Sequence, residues 1–306
     1  MLSATTWRRR NMEIPNKCAY CGRFGRILER TPVKLYICDG CGNTWFKHHD
    51  EDDRGSDLKI IDIEANYDRI HVMPMGDHHI GLREFAPDKF MGYRQWILDH
   101  PGTKVILMGD IFETPINTSR VQDEPQAPNG MTVHQTIAYG YDLFAPIRDN
   151  IIGIVEGNHD YRASRLTGGS ALSMLIAKLD LEDVYDPDQI LVRINVDDTI
   201  YQIMAQHGWG GARKTGGQMN KMEEMSNIIG DADAYLTGHE HTLFMSRWDK
   251  DIVQGNDVIE LRQVYVGCGC FCGLTRFQKR IARRKPNIGA PRLRLDSKRR
   301  DLHVSI

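Results

Sequence analysis

From Arg69 onward, short apolar runs alternate with stretches of helical periodicity, and the apolar runs stop in small clusters of aspartate, histidine and asparagine. Asp77-His78-His79 follows HVMPMG, Gly109-Asp110 follows KVILM, and Gly157-Asn158-His159-Asp160 follows IIGIVE. His207-Gly208 closes YQIMAQ, and Gly238-His239-Glu240-His241 closes DAYLT. Short apolar runs bounded by glycine read as buried strands, and strands feeding helices make α/β units. In an open α/β sheet, ligands bind in the crevice outside the carboxyl ends of the strands. Five polar strand endings are therefore expected to converge on one place. The glycines among them let the backbone turn sharply and approach a bound ion.

PDKFMGYRQWILDH, HQTIAYGYDLFAPIRDN and SALSMLIAKL read as helices between those strands. QILVRINV, VIELRQVYVGCG, LRLD and LHVSI read as further strands. A second half rich in strands predicts a second sheet packed on the first. The expected organisation is a mobile arm over 1–16, a metal module over 17–47, an acidic linker over 48–66 and the α/β domain over 67–306. The chain has 306 residues, 41% apolar and 26% charged, which is ordinary globular composition with ample core-forming material. No run approaches the roughly 18 apolar residues of a membrane span. Arg8, Arg9 and Arg10 precede no apolar stretch, so a secretory signal is not expected.

The residue types specify the chemistry. Carboxylates, imidazoles and one amide oxygen suit divalent ions such as Mn²⁺, Fe, Zn²⁺ or Mg²⁺, and two Mn²⁺ ions are the expected cofactors. A carboxylate can bridge two ions about 3.5–4 Å apart, and two such ions can lower the pKa of a shared water and stabilise both oxygens of a displacement at phosphorus.

Taken together and in order, D-x-H, G-D-x-x-[DE], G-N-H-[DE], H-G and G-H-x-H resemble the calcineurin-like metallophosphoesterase superfamily over roughly residues 68–306. The resemblance implies an α/β fold of two facing mixed β-sheets flanked by helices. It implies one ion held by Asp77, His79, Asp110 and His241, and a second held by Asp110, Asn158, His207 and His239, with Asp110 as the bridge. His79 is preferred to His78 because residues i and i+2 of an extended segment project to one side. His159 matches the residue that contacts the phosphoryl oxygens and the leaving group, and Asp160 is expected to orient its ring. GDIFETP departs from the G-D-x-x-D-R-G of the protein phosphatases of this superfamily. GDHHIG, GDIFE and GNHD are closer to its repair-nuclease branch and phage and bacterial relatives, although that branch usually has aspartate where Glu113 stands.

Four of the seven cysteines make C-x₂-C-x₁₆-C-x₂-C: Cys18, Cys21, Cys38 and Cys41. That spacing is expected of a structural Zn²⁺ site, and the segment resembles a zinc ribbon. A module of about 30 residues cannot fold on its core alone, so the metal would supply its folding energy. Thiolate ligands and the lack of a signal predict a reducing compartment, hence cytoplasm. Cys268, Cys270 and Cys272 alternate at strand period and are expected to pack in the core.

The predicted activity is metal-dependent phosphoester hydrolysis, with nucleic acid favoured as substrate. A small cyclic or linear nucleotide is the alternative; a protein phosphatase or a non-catalytic binding module is disfavoured. Arg23, Arg26, Arg30 and Lys34 beside Phe24 and Tyr36 suit a surface that tracks a backbone and stacks bases. Arg276 to Arg300 carries eleven Lys/Arg and one acid although the net charge is −2. That segment reads either as a phosphate-neutralising surface or as the polar face of ordinary strands. Arg162 and Arg165 are expected either to grip a phosphate or to be solvated. His134 is open to a substrate role; His48, His49, His71, His100 and His303 read as surface or structural.

Overall fold

The computed structural model describes residues 58–113, 131–197, 199–212, 214–254, 256–298 and 300–306, together with the backbone of three strands before residue 58. Those strands, β1 (Gly25–Arg30), β2 (Val33–Cys38) and β3 (Thr44–His48), form an antiparallel sheet in that order within an N-terminal unit, Met1–Asp57. Of the expected zinc ligands, Cys18, Cys21 and Cys41 lie outside the described residues, and of Cys38 only the backbone is described, as the last residue of β2. The expected arm and the basic and aromatic side chains of this unit also lie outside what is described.

The second unit, Leu58–Ile306, begins earlier than its sequence suggests. Residues assigned to the linker form β4 (Lys59–Ala65), paired in parallel with a strand near the middle of the chain. Acidic composition concealed it: Asp62 and Glu64 lie on the outer face, where they accept from Arg193 and Asn195, while Ile61 and Ala65 are buried.

There follow β5 (Arg69–Met75), α1 (Pro87–Asp99), β6 (Thr103–Leu107), α2 (Val133–Phe144), β7 (Ile151–Val155), α3 (Asn158–Thr167), α4 (Ala171–Leu179), β8 (Tyr185–Asp186), β9 (Gln189–Val196), β10 (Thr199–Gln206) and α5 (Thr215–Met225). The chain finishes with β11 (Ala234–Thr237), β12 (Leu243–Gln254), β13 (Asp257–Cys268), α6 (Arg276–Arg280), β14 (Arg292–Asp296) and β15 (Asp301–Ser305). Six strands in the order β15-β14-β5-β6-β7-β8 form one mixed sheet, and β12-β13-β11-β10-β9-β4 form the other.

Period-two alternation explains how the sheets pack. In β6, Val105 and Leu107 face the helices while Ile106 and the following Met108 face the other sheet. In β9 and β10, Ile190, Val192, Ile194, Tyr201 and Ile203 point the same way, so a single apolar cluster fills the space between the sheets. Helices α1, α2 and α4 cover the outer face of the first sheet through Phe90, Ile97, Phe144, Leu172 and Ile176. Met222 and Met225 of α5 cover part of the second. The protein is thus α/β, two facing mixed sheets flanked by helices. Among the described residues no helix is long and apolar enough to cross a membrane.

Two further elements differ from the sequence expectation. Asn158-His159-Asp160 does not end a strand but opens α3, with Gly157 as its N-cap. The strand β12 was not legible, because Arg247, Asp249, Lys250 and Asp251 interrupt its apolar character at an exposed sheet edge.

Candidate metal centre

Beyond Met75 and Leu107 the two central strands keep pairing through their loops. The N–H of Asp77 donates to the Gly109 carbonyl (2.9 Å) and that of His79 to the Asp110 carbonyl (3.0 Å). This sets Asp77 and Asp110 side by side, both essentially buried. One oxygen of each carboxylate is fixed by a backbone N–H: His239 N–H donates to Asp77 Oδ2 (2.9 Å), and His159 N–H to Asp110 Oδ1 (2.8 Å). The other two oxygens face histidines.

Around Asp77 Oδ1 stand His241 Nε2 at 3.2 Å and His79 Nε2 at 3.9 Å, and those two nitrogens are 3.3 Å apart. Asp110 Oδ2 is 3.9 Å from His79 Nε2. On its other side Asp110 Oδ2 is 3.3 Å from His207 Nε2, which is 3.3 Å from Asn158 Oδ1; His239 Nδ1 lies 2.7 Å from that same amide oxygen. Atoms about 2.1 Å from a shared ion lie roughly 3–4.2 Å from one another, so most of these separations are those of coordination shells.

Tautomers sharpen this reading. The Met108 carbonyl can only accept, so His207 Nδ1 must carry the proton it donates (2.6 Å), leaving a lone pair on Nε2. The short contact of His239 Nε2 with the Gly210 carbonyl likewise leaves the lone pair on Nδ1. In these neutral tautomers His207 and His239 turn lone pairs, together with the Asp110 carboxylate and the Asn158 amide oxygen, towards one point; with no cation there, protonation of an imidazole takes its place. Burial disfavours charge on His207, yet the Asp110 carboxylate outweighs it and pushes its pKa up to about 9. His241 is driven up in the same sense against burial by Asp77. Each point demands a positive charge, and the donor set of carboxylate, imidazole and amide fits a divalent ion.

The backbone bends to achieve this. Asp77, His79, Asp110, His239 and His241 all have φ between 49° and 67°. Non-glycine residues rarely adopt that region, at a cost on the order of 1 kcal/mol each. Five such residues at one locus hold strain comparable with a substantial part of a domain's net stability. Gly157 is required for contact rather than φ: a Cβ there would come within 2.0 Å of Asp110 Oδ1. The choice of His79 over His78 therefore needs another reason. The segment is not extended, and His78 points into the apolar core, its ring stacked on Phe271 at 4.8 Å between centroids. Burial lowers the His78 pKa to about 3.

His159, at the start of α3, turns Nε2 towards Asp110 Oδ2 at 3.9 Å. Its orienting group is not Asp160. Glu113 Oε2 lies 2.7 Å from His159 Nδ1 and 3.0 Å from His79 Nδ1, so one buried carboxylate braces both rings. Asp160 instead accepts the Gly157 N–H, capping the helix, and burial reinforced by Asp110 raises its pKa to about 8. The Glu113 carboxyl is opposed by burial but held down to about 2 by His159 and His79. For His159, burial is outweighed by the Asp110 and Glu113 carboxylates and the pKa is raised.

Glu240, between two candidate ligands, is a carboxylate the motif pattern passes over. It accepts from Arg283 (2.9 Å), Lys221 (3.2 Å) and the Ala212 N–H (3.0 Å), tying together three segments around the His239–His241 turn. Its signal in the sequence was only its position inside G-H-x-H.

Among the remaining candidates, Arg162 is near enough to His159 to oppose its protonation, while Arg165, a turn further along α3, is exposed. His134 is exposed at the start of α2. The basic segment divides: Arg283, Arg294, Lys298 and Arg300 pair with Glu240, Asp301, Asp68 and Asp233, and Arg292 lies over Trp96. Arg276, Lys279, Arg284 and Lys285 remain exposed. Cys268, Cys270 and Cys272 are buried and unbridged, and burial pushes the Cys268 and Cys272 thiols up.

No family model and no curated protein matches the chain. Among solved structures it is similar to a conserved protein of Streptococcus pneumoniae described as a predicted phosphoesterase, at 13% identity and TM-score 0.34 over 74% of this chain and 84% of that one. It is also similar to zinc-complexed Vps29 of Entamoeba histolytica (13%, TM-score 0.35, 77% and 97%). A third is GAP50, the anchor in the inner membrane complex of Plasmodium (10%, TM-score 0.40, 78% and 88%). Likenesses of this size carry no weight for activity, which has to be read from the site itself.

Proposed function

We propose that the chain is a metallophosphoesterase of the calcineurin-like type, holding two divalent ions and hydrolysing phosphodiesters. The observation that carries this is the pair of acceptor clusters sharing Asp110 Oδ2: Asp77, His79 and His241 on one side, Asn158, His207 and His239 on the other. When bound, the ions supply charge neutralisation at phosphorus and a water acidic enough to be deprotonated near neutral pH. The chain supplies the rest. Asp77 and Asp110 are preorganised by backbone N–H donors. The Asp110 and Glu113 carboxylates, Glu113 Oε2 lying 2.7 Å from Nδ1, favour the imidazolium form of His159, whose Nε2–H faces the site and can protonate a departing alkoxide. No nucleophilic side chain is required.

Nucleic acid is the substrate this reading favours. Arg284 donates to Thr215 Oγ1 (3.4 Å) and Arg283 binds Glu240, so part of the cationic segment stands beside the His239–His241 turn. The test is Mn²⁺-supplemented hydrolysis of bis-p-nitrophenyl phosphate, single- and double-stranded DNA, RNA, cyclic nucleotides and a phosphopeptide, with and without EDTA. Chelator-sensitive cleavage of diesters, steeply salt-dependent for the polymers, is expected. Turnover of free nucleotides alone would replace the polymer by a small-molecule substrate, and no turnover of any phosphoester would refute the enzyme.

A further inference from the structure

The loop between His207 and α5, Gly208-Trp209-Gly210-Gly211-Ala212, is pinned at three successive points and yet displays an indole. Lys221 Nζ donates to the Trp209 carbonyl, His239 Nε2 to the Gly210 carbonyl, and the Ala212 N–H donates to Glu240 Oε1 (3.0 Å). Gly208 and Gly210 take φ values of 100° and 78°, which a side chain would resist, so the loop's path is built for this conformation. Trp209 itself is 40% exposed. One side of it lines a small cavity with Met222 and Phe244, and among the described residues it makes none of the ring contacts found between other aromatic side chains.

A large apolar side chain left 40% exposed, held on a fixed backbone two residues from one candidate ligand and one residue from the carbonyl that sets the tautomer of another, presents a ring face to whatever binds there. Two exposed cations stand where this loop runs into α5, Lys214 at its N-cap and Arg284 donating to Thr215 Oγ1. An aromatic face beside cations and next to a phosphate-directed centre is the combination that binds a single-stranded polynucleotide: cations take the backbone and the ring takes a base.

Resting on the phosphodiesterase reading, we infer that Trp209 is a stacking platform for a nucleobase adjoining the scissile phosphate. It makes the protein prefer base-bearing diesters over the bare sugar–phosphate backbone, with little regard to which base. Stacking uses the π-face every base has, so selectivity among bases is expected to be weak. In this role Trp209 contacts substrate without taking part in the chemical step.

The test compares a labelled single-stranded oligonucleotide with an abasic strand of equal length and charge, with the full chain. Binding is read by fluorescence anisotropy with Ca²⁺, and kcat and KM with Mn²⁺. The parent should favour the base-bearing strand by about 5- to 150-fold, the range expected for one stacked base. Trp209→Ala should bring that ratio close to one, and Trp209→Phe should retain much of it, the change residing in KM rather than kcat. Mn²⁺ affinity, measured for each variant, separates a structural role. If Trp209→Ala weakens metal binding and both strands equally, or if the parent shows no preference, the inference is overturned. Hydrolysis of bis-p-nitrophenyl phosphate without any base preference would sink this inference while leaving the phosphodiesterase; Trp209-dependent preference for the base-bearing strand without hydrolysis of any diester would refute the phosphodiesterase and leave only a base-stacking contact.

Discussion

The two halves of the candidate centre are built differently. The half around Asp77, His79 and His241 is buried throughout, shares two carboxylates through Asp110, and is braced from behind by Glu113. The half around Asn158, His207 and His239 has one carboxylate and a neutral amide; Asn158 is exposed and His239 only half-buried. Charge count and enclosure govern affinity for hard cations. The first half is therefore expected to hold its ion tightly and the second to exchange it and to meet solvent and substrate. Both halves are bent into place by left-handed backbone, but the first is supported by side chains and the second by the loop carbonyls of Met108 and Gly210.

The severest test removes what the halves share. Asp110→Asn should cut kcat by on the order of 10³-fold or more, since several kcal/mol of metal-derived stabilisation is at stake. The same variant should lose both ions when metal content is measured after dialysis. Retention of two ions would contradict the bridge.

Asn158→Ala should split the halves. Calorimetric titration with Mn²⁺ should keep one tight class and weaken the second by about 10- to 100-fold, with activity recovering at high metal concentration. Equal weakening of both classes would erase the asymmetry.

Glu113→Gln acts on the first half and on His159 together, with an expected loss of about 10- to 100-fold in activity. It also has a pH signature in the metal-free protein. The folded-state pKa is lowered to about 2, so the carboxylate stabilises the fold in full above its ordinary range, and that contribution fades as pH falls through about 2. Acid-unfolding curves of wild type and Glu113→Gln should therefore diverge above about pH 4.5 and converge at the acid end.

The smallest effect belongs to Asp160→Asn. Burial and the neighbouring Asp110 raise its carboxyl to about 8, so losing its charge costs little, and an amide oxygen can still accept the Gly157 N–H. Less than about a fivefold change in kcat is expected. A loss as large as that of Glu113→Gln would restore Asp160 as the group that orients His159.

Much of this was readable in the chain because strand ends announce themselves: glycine beside aspartate or histidine after an apolar run marks where a buried strand surfaces. Those residues do come together. What the sequence concealed has physical causes. The left-handed φ values at Asp77, His79 and His241 leave no compositional trace, and the extended geometry that favours His79 in the sequence is not the one the segment has. Glu113 lies 46 residues before His159 in sequence, and only the fold reveals that it, not the neighbouring Asp160, faces that ring. The strand β4 was hidden because Asp62 and Glu64 find cross-strand partners on the outer face.

The most direct test is a crystal equilibrated with Mn²⁺ and examined by anomalous scattering at the manganese edge. Two peaks about 3.5–4 Å apart on either side of Asp110 Oδ2 are expected, the one beside Asp77 and His241 at higher occupancy. A single peak remote from Asp110, or none among these residues, would contradict the two-ion centre.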